Sequence, residues 1–345
     1  MNYESGMKKL EKSVEKSRNY SRHNSYFKIH NSARGRALVV GSVAYDVIFD
    51  IHGKINDSIV IENGKLGRQN LMFTAKAKQQ HYGGTGGNIA YGLGLLGAKP
   101  ILFSAAGRDF KPHFHEHLKS HGVDVKVSVD ESNWTAAFYG MSDDSREQIG
   151  VWQPNAHNNL ETLNIADSLD KKSFKDVSVA IFSGQPTVAL RHMKSVRKIL
   201  GKKVTTIFDP GQVVQFYDKK MLSEGLKLSD IFIANDVEIK RACDTLGCSV
   251  EEILKYGPRV VIETKGDLGS VLYQSGKKIL ILAVKPGQIV ETTGAGDAYR
   301  AGLMYGILNG LDLSESCRIG SILGARNVET VGGQMYQITP KDLKV

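Results

Sequence analysis

Cysteine is scarce in this chain: three residues in 345, Cys243, Cys248 and Cys317, with no Cys-x-x-Cys pair. An odd, sparse set points to reduced thiols and a cytoplasmic setting rather than a disulfide framework. Long apolar runs are missing too. None reaches the roughly 18 residues of a membrane span. The first 36 residues also lack the apolar stretch of about 7–15 residues that a secretory signal needs. Proline is rare, with 8 residues against 36 glycines. Scattered glycines between apolar runs fit α/β architecture better than collagen or disorder. Acidic residues fall short of basic ones, 36 against 45, for a formal net charge of +9. Such a surplus invites a nucleic-acid reading, but it is unevenly placed. Residues 1–36 hold nine Lys/Arg and three Glu, so +6 lies there and +3 is left for the other 309 residues. The expectation is a solvated basic extension over 1–36, disordered or weakly helical, on a nearly neutral body.

What is present is alternation. Ala37-Leu-Val-Val-Gly-Ser-Val43 is the apolar run of a buried parallel strand. Strand patterns recur at Pro100–Ala106, Val177–Ser183, Thr205–Asp209, Ile231–Ala234 and Val260–Glu263. Helical spacing follows Gly83-Gly-Thr-Gly-Gly87 and returns at Phe110–His121 and near 188–200, 220–227 and 236–256. This alternation predicts a doubly wound, mainly parallel α/β sheet. Ser270–Gln274 and Lys278–Ala283 flank Ser275-Gly276 and read as an antiparallel hairpin. Asp297–Asn309 and Ser314–Val328 read as closing helices.

Two stretches differ, about 51–79 and 130–157. They alternate polar and apolar residues at Ser58–Ile61, Asn70–Phe73 and Thr135–Met141, as strands with one solvated face do. The expected organisation is one domain over 37–345 carrying a small β lid from these two segments. A lid that excludes water suits phosphoryl transfer. Its strands could also pair with a second copy, so monomer and homodimer both stay open.

The chemistry concentrates in Glu291-Thr-Thr-Gly-Ala-Gly-Asp297-Ala-Tyr-Arg-Ala-Gly302. Glycines at a helix start let backbone N–H groups turn inward, where orphan donors and the positive end of the helix dipole favour an anion. Asp297 is either the cap of that helix or a base for an attacking hydroxyl. No Gly-Lys-Ser/Thr follows the glycines, so this is not a Walker A loop. Gly83-Gly-Thr-Gly-Gly-Asn88 is a poor dinucleotide fingerprint, because no acidic residue ends a strand about 20 residues on.

Thr-Gly-Ala-Gly-Asp near the C-terminus and Gly-Gly-x-Gly-Gly-Asn near residue 85 together resemble the two signatures of the ribokinase-like (PfkB-type) carbohydrate kinase family. The likeness covers roughly residues 37–340. Within the family it is most similar to bacterial adenosine (nucleoside) kinases, through Tyr82–Ala90, Phe208-Asp-Pro-Gly-Gln212 and Asp297–Gly302. The resemblance implies an ATP- and Mg²⁺-dependent kinase with a doubly wound fold, converting adenosine to AMP. It implies that Asp297 is the base and that the N–H groups of Gly294, Ala295 and Gly296 form the anion hole. It puts Asp46 on two sugar hydroxyls, with Gly83, Gly84 and Asn88 beside the sugar, Asn88 offering both a donor and an acceptor. It places Asn235 and Glu238 near the donor phosphates and hydrated Mg²⁺, Glu238 acting through water. It puts Thr264, Gly266 and Gly269 at the triphosphate, and Ser321 and Gly324 along the donor adenine. Glu291 stands where the family usually has Asp, near its monovalent-cation loop, which leaves K⁺ dependence open.

Two other functions remain in view. A free-sugar kinase such as a ribokinase would share Asp46, Asn88 and Asp297. A base-binding pocket would need walls from Phe73, Trp134, Phe138 or Trp152, each of which could equally be lid core. A nucleotide- or RNA-binding protein using the basic extension would not need Asp297, Asn235 and Glu238 together. The expected partners are therefore ATP and a small nucleoside or sugar, without membrane or nucleic acid.

Overall fold

β1 (Arg36–Val40) runs through the centre of the main sheet, and its side chains alternate between two apolar layers. Ala37 and Val39 enter one core, Leu38 and Val40 the other, and all four are fully buried. Burial on both faces is why the run is continuously apolar rather than alternating. The computed structural model describes residues 35–59, 61–62, 65–67, 71–145, 147–169 and 171–343. The basic extension expected over 1–36 therefore lies outside the described residues up to position 34. Arg36 itself belongs to β1 and donates to Asp124 at 2.9 Å.

In chain order the other elements are β2 (Ala44–Ile51), β3 (Ala75–Gly83), α1 (Thr85–Leu95), β4 (Ile101–Gly107), α2 (His113–Ser120), β5 (Asp124–Asp130), β6 (Ala136–Ser142) and β7 (Gln148–Gln153). Then come β8 (Val177–Ser183), α3 (Pro186–Leu200), β9 (Thr205–Asp209), α4 (Lys219–Leu228), β10 (Ile231–Asn235) and α5 (Asp236–Leu246). The chain closes with β11 (Val260–Thr264), β12 (Ser270–Gln274), β13 (Lys277–Ile281), α6 (Ala295–Leu308) and α7 (Leu313–Asn327).

The main sheet has nine strands in the order β13-β12-β11-β10-β9-β8-β1-β4-β5. From β11 to β5 every neighbour is parallel, and only the β12–β13 end is antiparallel. This is the doubly wound α/β fold expected from the alternation. The chain steps from β1 to β4 and β5 on one side, then to β8 on the other. The strand order thus reverses beside β1, which is where ligands bind in such sheets. α1, α6 and α7 cover one face, while α3, α4 and α5 cover the other. No described helix is long and apolar enough to cross a membrane.

A smaller four-stranded sheet has the order β3-β2-β6-β7, with β2 and β6 parallel and the outer pairs antiparallel. Its strands fall only partly where the sequence put them. Ile55–Ser58 is a single 3₁₀ turn, Ile61–Glu62 pairs with Lys65–Leu66 in a two-residue ladder, and 71–74 has no regular structure. The long solvated strand is instead β3, Ala75–Gly83, held along its length by β2. Pairing, not pattern, makes it a strand. β5 was also not anticipated, although Val125, Val127 and Val129 alternate across it and pack on the core. The helix expected over 236–256 stops at Leu246, because Gly247 takes a left-handed conformation (φ 71°), and a 3₁₀ stretch follows at Glu251–Tyr256.

Candidate active site

The C-terminal ends of the parallel strands carry the polar residues. β8 ends at Ser183 and β9 at Asp209, in register with each other. β10 ends at Asn235 and β11 at Thr264, also in register. α6 begins over this edge. Its N-cap, Gly294, has φ 80°, and an added Cβ would lie 2.7 Å from the Cα of Gly333. A side chain is excluded there twice, by the backbone conformation and by the neighbouring loop.

Asp297 is the third residue of α6 and is half-buried. Asn88, from the first turn of α1, donates Nδ2 to its Oδ2 at 2.8 Å. Burial pushes the Asp297 carboxyl up to about 6, against the pull of Arg300 and the Asn88 amide, while Asp209 and Glu238 add to the rise. A carboxyl tuned to that range can hold or release a proton near neutrality. The N–H groups of Gly294 and Gly296 meet no acceptor among the described residues, whereas Ala295 donates to the Thr292 carbonyl at 3.2 Å. The turn therefore offers two open donors beside a helix N-terminus.

Asp46 comes from β2 of the smaller sheet. Burial, with Asp297 and Glu291 nearby, lifts its carboxyl to about 7. Gly83 lies directly against it: an added Cβ would stand 2.1 Å from Asp46 Oδ2. Gly84 is equally confined, with φ 82° and the Ala44 nitrogen 2.7 Å from its would-be Cβ. Ser42 anchors this corner, accepting from Thr85 N through its hydroxyl at 3.1 Å and from Gly87 N through its carbonyl at 3.0 Å. Gly83→Ala must displace the Asp46 carboxylate. If Asp46 grips an acceptor, the KM of that acceptor should rise by about 10-fold or more with the nucleotide KM unchanged, because sub-ångström placement of a binding group matters on that scale. Unchanged acceptor kinetics in this variant would show that Asp46 does not touch the acceptor.

On the other side, Asn235 and Glu238 form a reciprocal capping box. Asn235 Oδ1 accepts from Glu238 N at 2.8 Å, and Glu238 Oε2 accepts from Asn235 N at 2.8 Å. Capping occupies the only side-chain oxygen of Asn235 and one of the two of Glu238, leaving Asn235 Nδ2 and Glu238 Oε1 without a partner among the described residues. Glu238 is buried, which raises its carboxyl, with Arg300 opposing. No group of three or more His, Cys, Asp or Glu among the described residues could cage a metal. One free carboxylate oxygen fits Mg²⁺, which keeps most of its waters and leans on substrate phosphates.

Thr264 ends β11. Gly266 (φ 57°) and Gly269 (φ 93°) then turn the chain tightly, closed by Lys265 N donating to the Gly269 carbonyl at 2.8 Å. Lys265 pairs with Glu263 at 2.6 Å, which directs its ammonium back to β11. Directly after the turn, the hydroxyls of Ser270 and Tyr299 meet at 2.8 Å and tie it to α6. Ser321 is buried on α7. Gly324 sits against the first turn of α6, its would-be Cβ 3.4 Å from the Ala295 carbonyl.

Three residues of this site carried no assigned role in the sequence. Arg300 grips Asp209 with two bonds, Nε to Oδ2 at 2.5 Å and Nη2 to Oδ1 at 2.7 Å, and its Nη1 donates to the Gly296 carbonyl at 2.9 Å. Asp209 also accepts from Ser183 at 3.1 Å. Gln334 donates Nε2 to Asn88 Oδ1 at 3.0 Å. Asp209 and Arg300 do lie inside quoted motifs, and that was the available signal. Gln334 had none. Glu291 accepts from Gly332 N at 2.8 Å, pinning the loop after α7 to the turn before α6.

Residues 36–339 match the family model described as pfkB family carbohydrate kinase. The chain is 30% identical over 297 residues to a nucleoside kinase of Methanocaldococcus jannaschii, covering 86% of this chain and 91% of that one. It is 32% identical over 302 residues to a nucleoside kinase of Methanothermobacter thermautotrophicus, covering 86% and 90%. Among solved structures, Burkholderia thailandensis nucleoside kinase in complex with inosine superposes with a TM-score of 0.76 at 28% identity, covering 89% and 95%.

Proposed function

The chain belongs to the pfkB family of carbohydrate kinases, and we propose that its acceptor is a nucleoside, phosphorylated on the 5′-hydroxyl, with adenosine to AMP as the first candidate. One observation carries the choice of a nucleoside over a free sugar. On the smaller sheet, His81, Asp46, Phe138 and Trp152 stand directly opposite one another across β3, β2, β6 and β7. Paired positions share a face, so one carboxylate lies in a row with three aromatic rings. Phe138 lies across Gly140 and Gly150, whose would-be Cβ atoms fall 3.0 and 2.4 Å from its ring. His81 reaches the loop at Gly332, 3.1 Å from the would-be Cβ there. Two carboxylate oxygens suit a vicinal diol, and ring faces suit a base. Trp134 is less available, because Arg108 lies 4.0 Å from its ring centroid.

In this reading the smaller sheet is the lid and brings the diol grip to the edge of the main sheet. The acceptor O–H bond breaks as its oxygen bonds to the γ-phosphorus of ATP. The proton passes to Asp297, and the bond from the γ-phosphorus to the β-bridging oxygen breaks, releasing ADP. The open N–H groups of Gly294 and Gly296 stabilise charge growing on the phosphoryl oxygens. Glu238, through water, and Asn235 hold the donor side. Mg²⁺, when bound, neutralises phosphate charge. Ser321 and Gly324 line the donor base, and Thr264, Gly266 and Gly269 the triphosphate.

No position on the Asp46 face in register with the row, from Asp50 to Ala44 and their partners, is Lys or Arg. A phosphorylated sugar would find no cation there. ADP release should therefore be fast with adenosine, inosine, guanosine or cytidine, and slow with ribose and fructose 6-phosphate. Preference for ribose would return the protein to the sugar kinases. Preference for fructose 6-phosphate would overturn the nucleoside reading outright.

A further inference from the structure

We propose that Gln334 is a positioning residue for the transfer step: it fixes which way the Asn88 amide faces, and so keeps an N–H donor on Asp297. This rests on the reading of Asp297 as the base. Gln334 is buried and belongs to the loop after α7, more than 240 residues from Asn88 in sequence. Its Nε2 lies 3.0 Å from Asn88 Oδ1 and 3.4 Å from the Gly83 carbonyl. Both neighbours are acceptors. A flipped Gln334 amide would set its oxygen against two oxygens, so the amide has one register. Its own Oε1 is buried near the His117 imidazole and makes no hydrogen bond of good geometry among the described residues, which leaves Nε2 as the end that is held.

That register dictates the next one. Asn88 Oδ1 faces the Gln334 donor, so Asn88 Nδ2 must face Asp297, where it sits 2.8 Å from Oδ2. An ionised carboxylate only accepts. A reversed Asn88 would put its carbonyl oxygen against that carboxylate and destabilise the ionised base. The loop is built for this contact. A Cβ at Gly333 would fall 2.6 Å from Asn88 Nδ2, and Gly332 is tied at its N–H to Glu291 and at its carbonyl to Asn327 Nδ2 at 3.4 Å. With its oxygen and one N–H engaged, Asn88 has its second N–H for an acceptor hydroxyl, which makes it a donor there rather than donor and acceptor at once.

The discriminating variants are Gln334→Glu, which keeps the shape but cannot donate, and Gln334→Met, which keeps the volume without polarity. Asp297 also faces Asp46 from β2, Asp209 from β9, Glu238 from α5, Arg300 from its own helix and Tyr336 beside the loop. Both substitutions leave all of these in place; the neighbour they change besides Asn88 is His117, whose imidazole meets the Gln334 side chain and is held by burial down to about 4. In each variant kcat should fall about tenfold or more, and the acidic limb of its pH profile should move to higher pH, most in Gln334→Glu. The ATP KM should stay within about twofold. In an Asn88→Ala background, where no amide remains to be oriented, Gln334→Met should change kcat less than about twofold.

The proposal fails if both variants keep the wild-type acidic limb. It also fails if Gln334→Met costs as much in the Asn88→Ala background as in the wild type, which would mark a packing role. Thermal unfolding of each protein separates a folded variant from a lost one, and an unfolded Gln334→Met with a folded, unshifted Gln334→Glu likewise overturns it. Asp297→Asn in the same assay isolates the underlying reading: near-normal turnover there removes the base, whatever Gln334 does.

Discussion

Asp297→Asn should lower turnover by at least about 10²-fold while making the protein more stable at neutral pH. The two effects have one source. Burial raises the Asp297 carboxyl from 3.8 to about 6. The folded state therefore holds the proton more tightly than the unfolded chain does. The stability linked to this group is fully present below its unfolded value and is lost as pH rises through about 6. A shift of about two units corresponds to roughly 3 kcal/mol at pH 7. Asn keeps the shape and cannot ionise, so the variant should gain melting temperature above pH 6 and gain nothing near pH 4. Wild-type kcat should follow the same titration in the opposite sense, rising through about pH 6 as the base ionises. A variant with unchanged turnover excludes Asp297 as the base. A variant that loses turnover but melts lower at pH 7.5 contradicts the electrostatic account.

Asp297 was visible in the sequence as one member of a Gly-rich helix start, equally readable as cap or base. Its burial, and the amide of Asn88 against it, were not visible, because they depend on α1 and α6 meeting across 209 residues of separation. The main sheet was legible because each parallel strand is buried on both faces and so reads as an unbroken apolar run. β3 was not, because Ala75-Lys-Ala-Lys-Gln-Gln has no apolar stripe and owes its strand to pairing with β2. Asn235 and Glu238 were weighed as cap against phosphate ligand. The capping box takes the only side-chain oxygen of Asn235 and one of the two of Glu238, so what stays for a ligand is an amide donor and one carboxylate oxygen. Phe138 and Trp152 were candidates without a face. Cross-strand register supplied it, and register is set by turns and hydrogen bonds that a single-chain pattern does not encode. Asp209 and Arg300 lay in separate motifs, and nothing in either segment named the other as its partner.

That pair carries the largest stability effect expected in the molecule. Asp209 is 1% exposed and Arg300 8% at the side chain, and they meet through two parallel bonds. Arg300→Met would leave the Asp209 carboxylate buried with Ser183 as its remaining hydrogen-bond partner among the described residues, and would strip the cation from between Asp209, Glu238 and Asp297. Removing one partner of a buried pair costs about 3–5 kcal/mol, and denaturant unfolding should show a loss of that size. Arg300→Lys should not rescue it, because an ammonium cannot make the fork to Asp209 and also reach the Gly296 carbonyl. A double variant, Asp209→Leu with Arg300→Met, should recover at least about half of the loss, since burying two apolar groups removes the unpaired charge. Activity should not recover with it. Arg300 is the strongest influence holding the Asp297 carboxyl down against burial, so without it the acidic limb of kcat should move to higher pH in both the single and the double variant. It also holds the Gly296 carbonyl, and with it the turn that presents the open N–H groups of Gly294 and Gly296. A single variant within about 1 kcal/mol of wild type would show the pair to be energetically idle. A double variant that regained both stability and the wild-type pH profile would confine Arg300 to balancing Asp209, with no part in tuning the base.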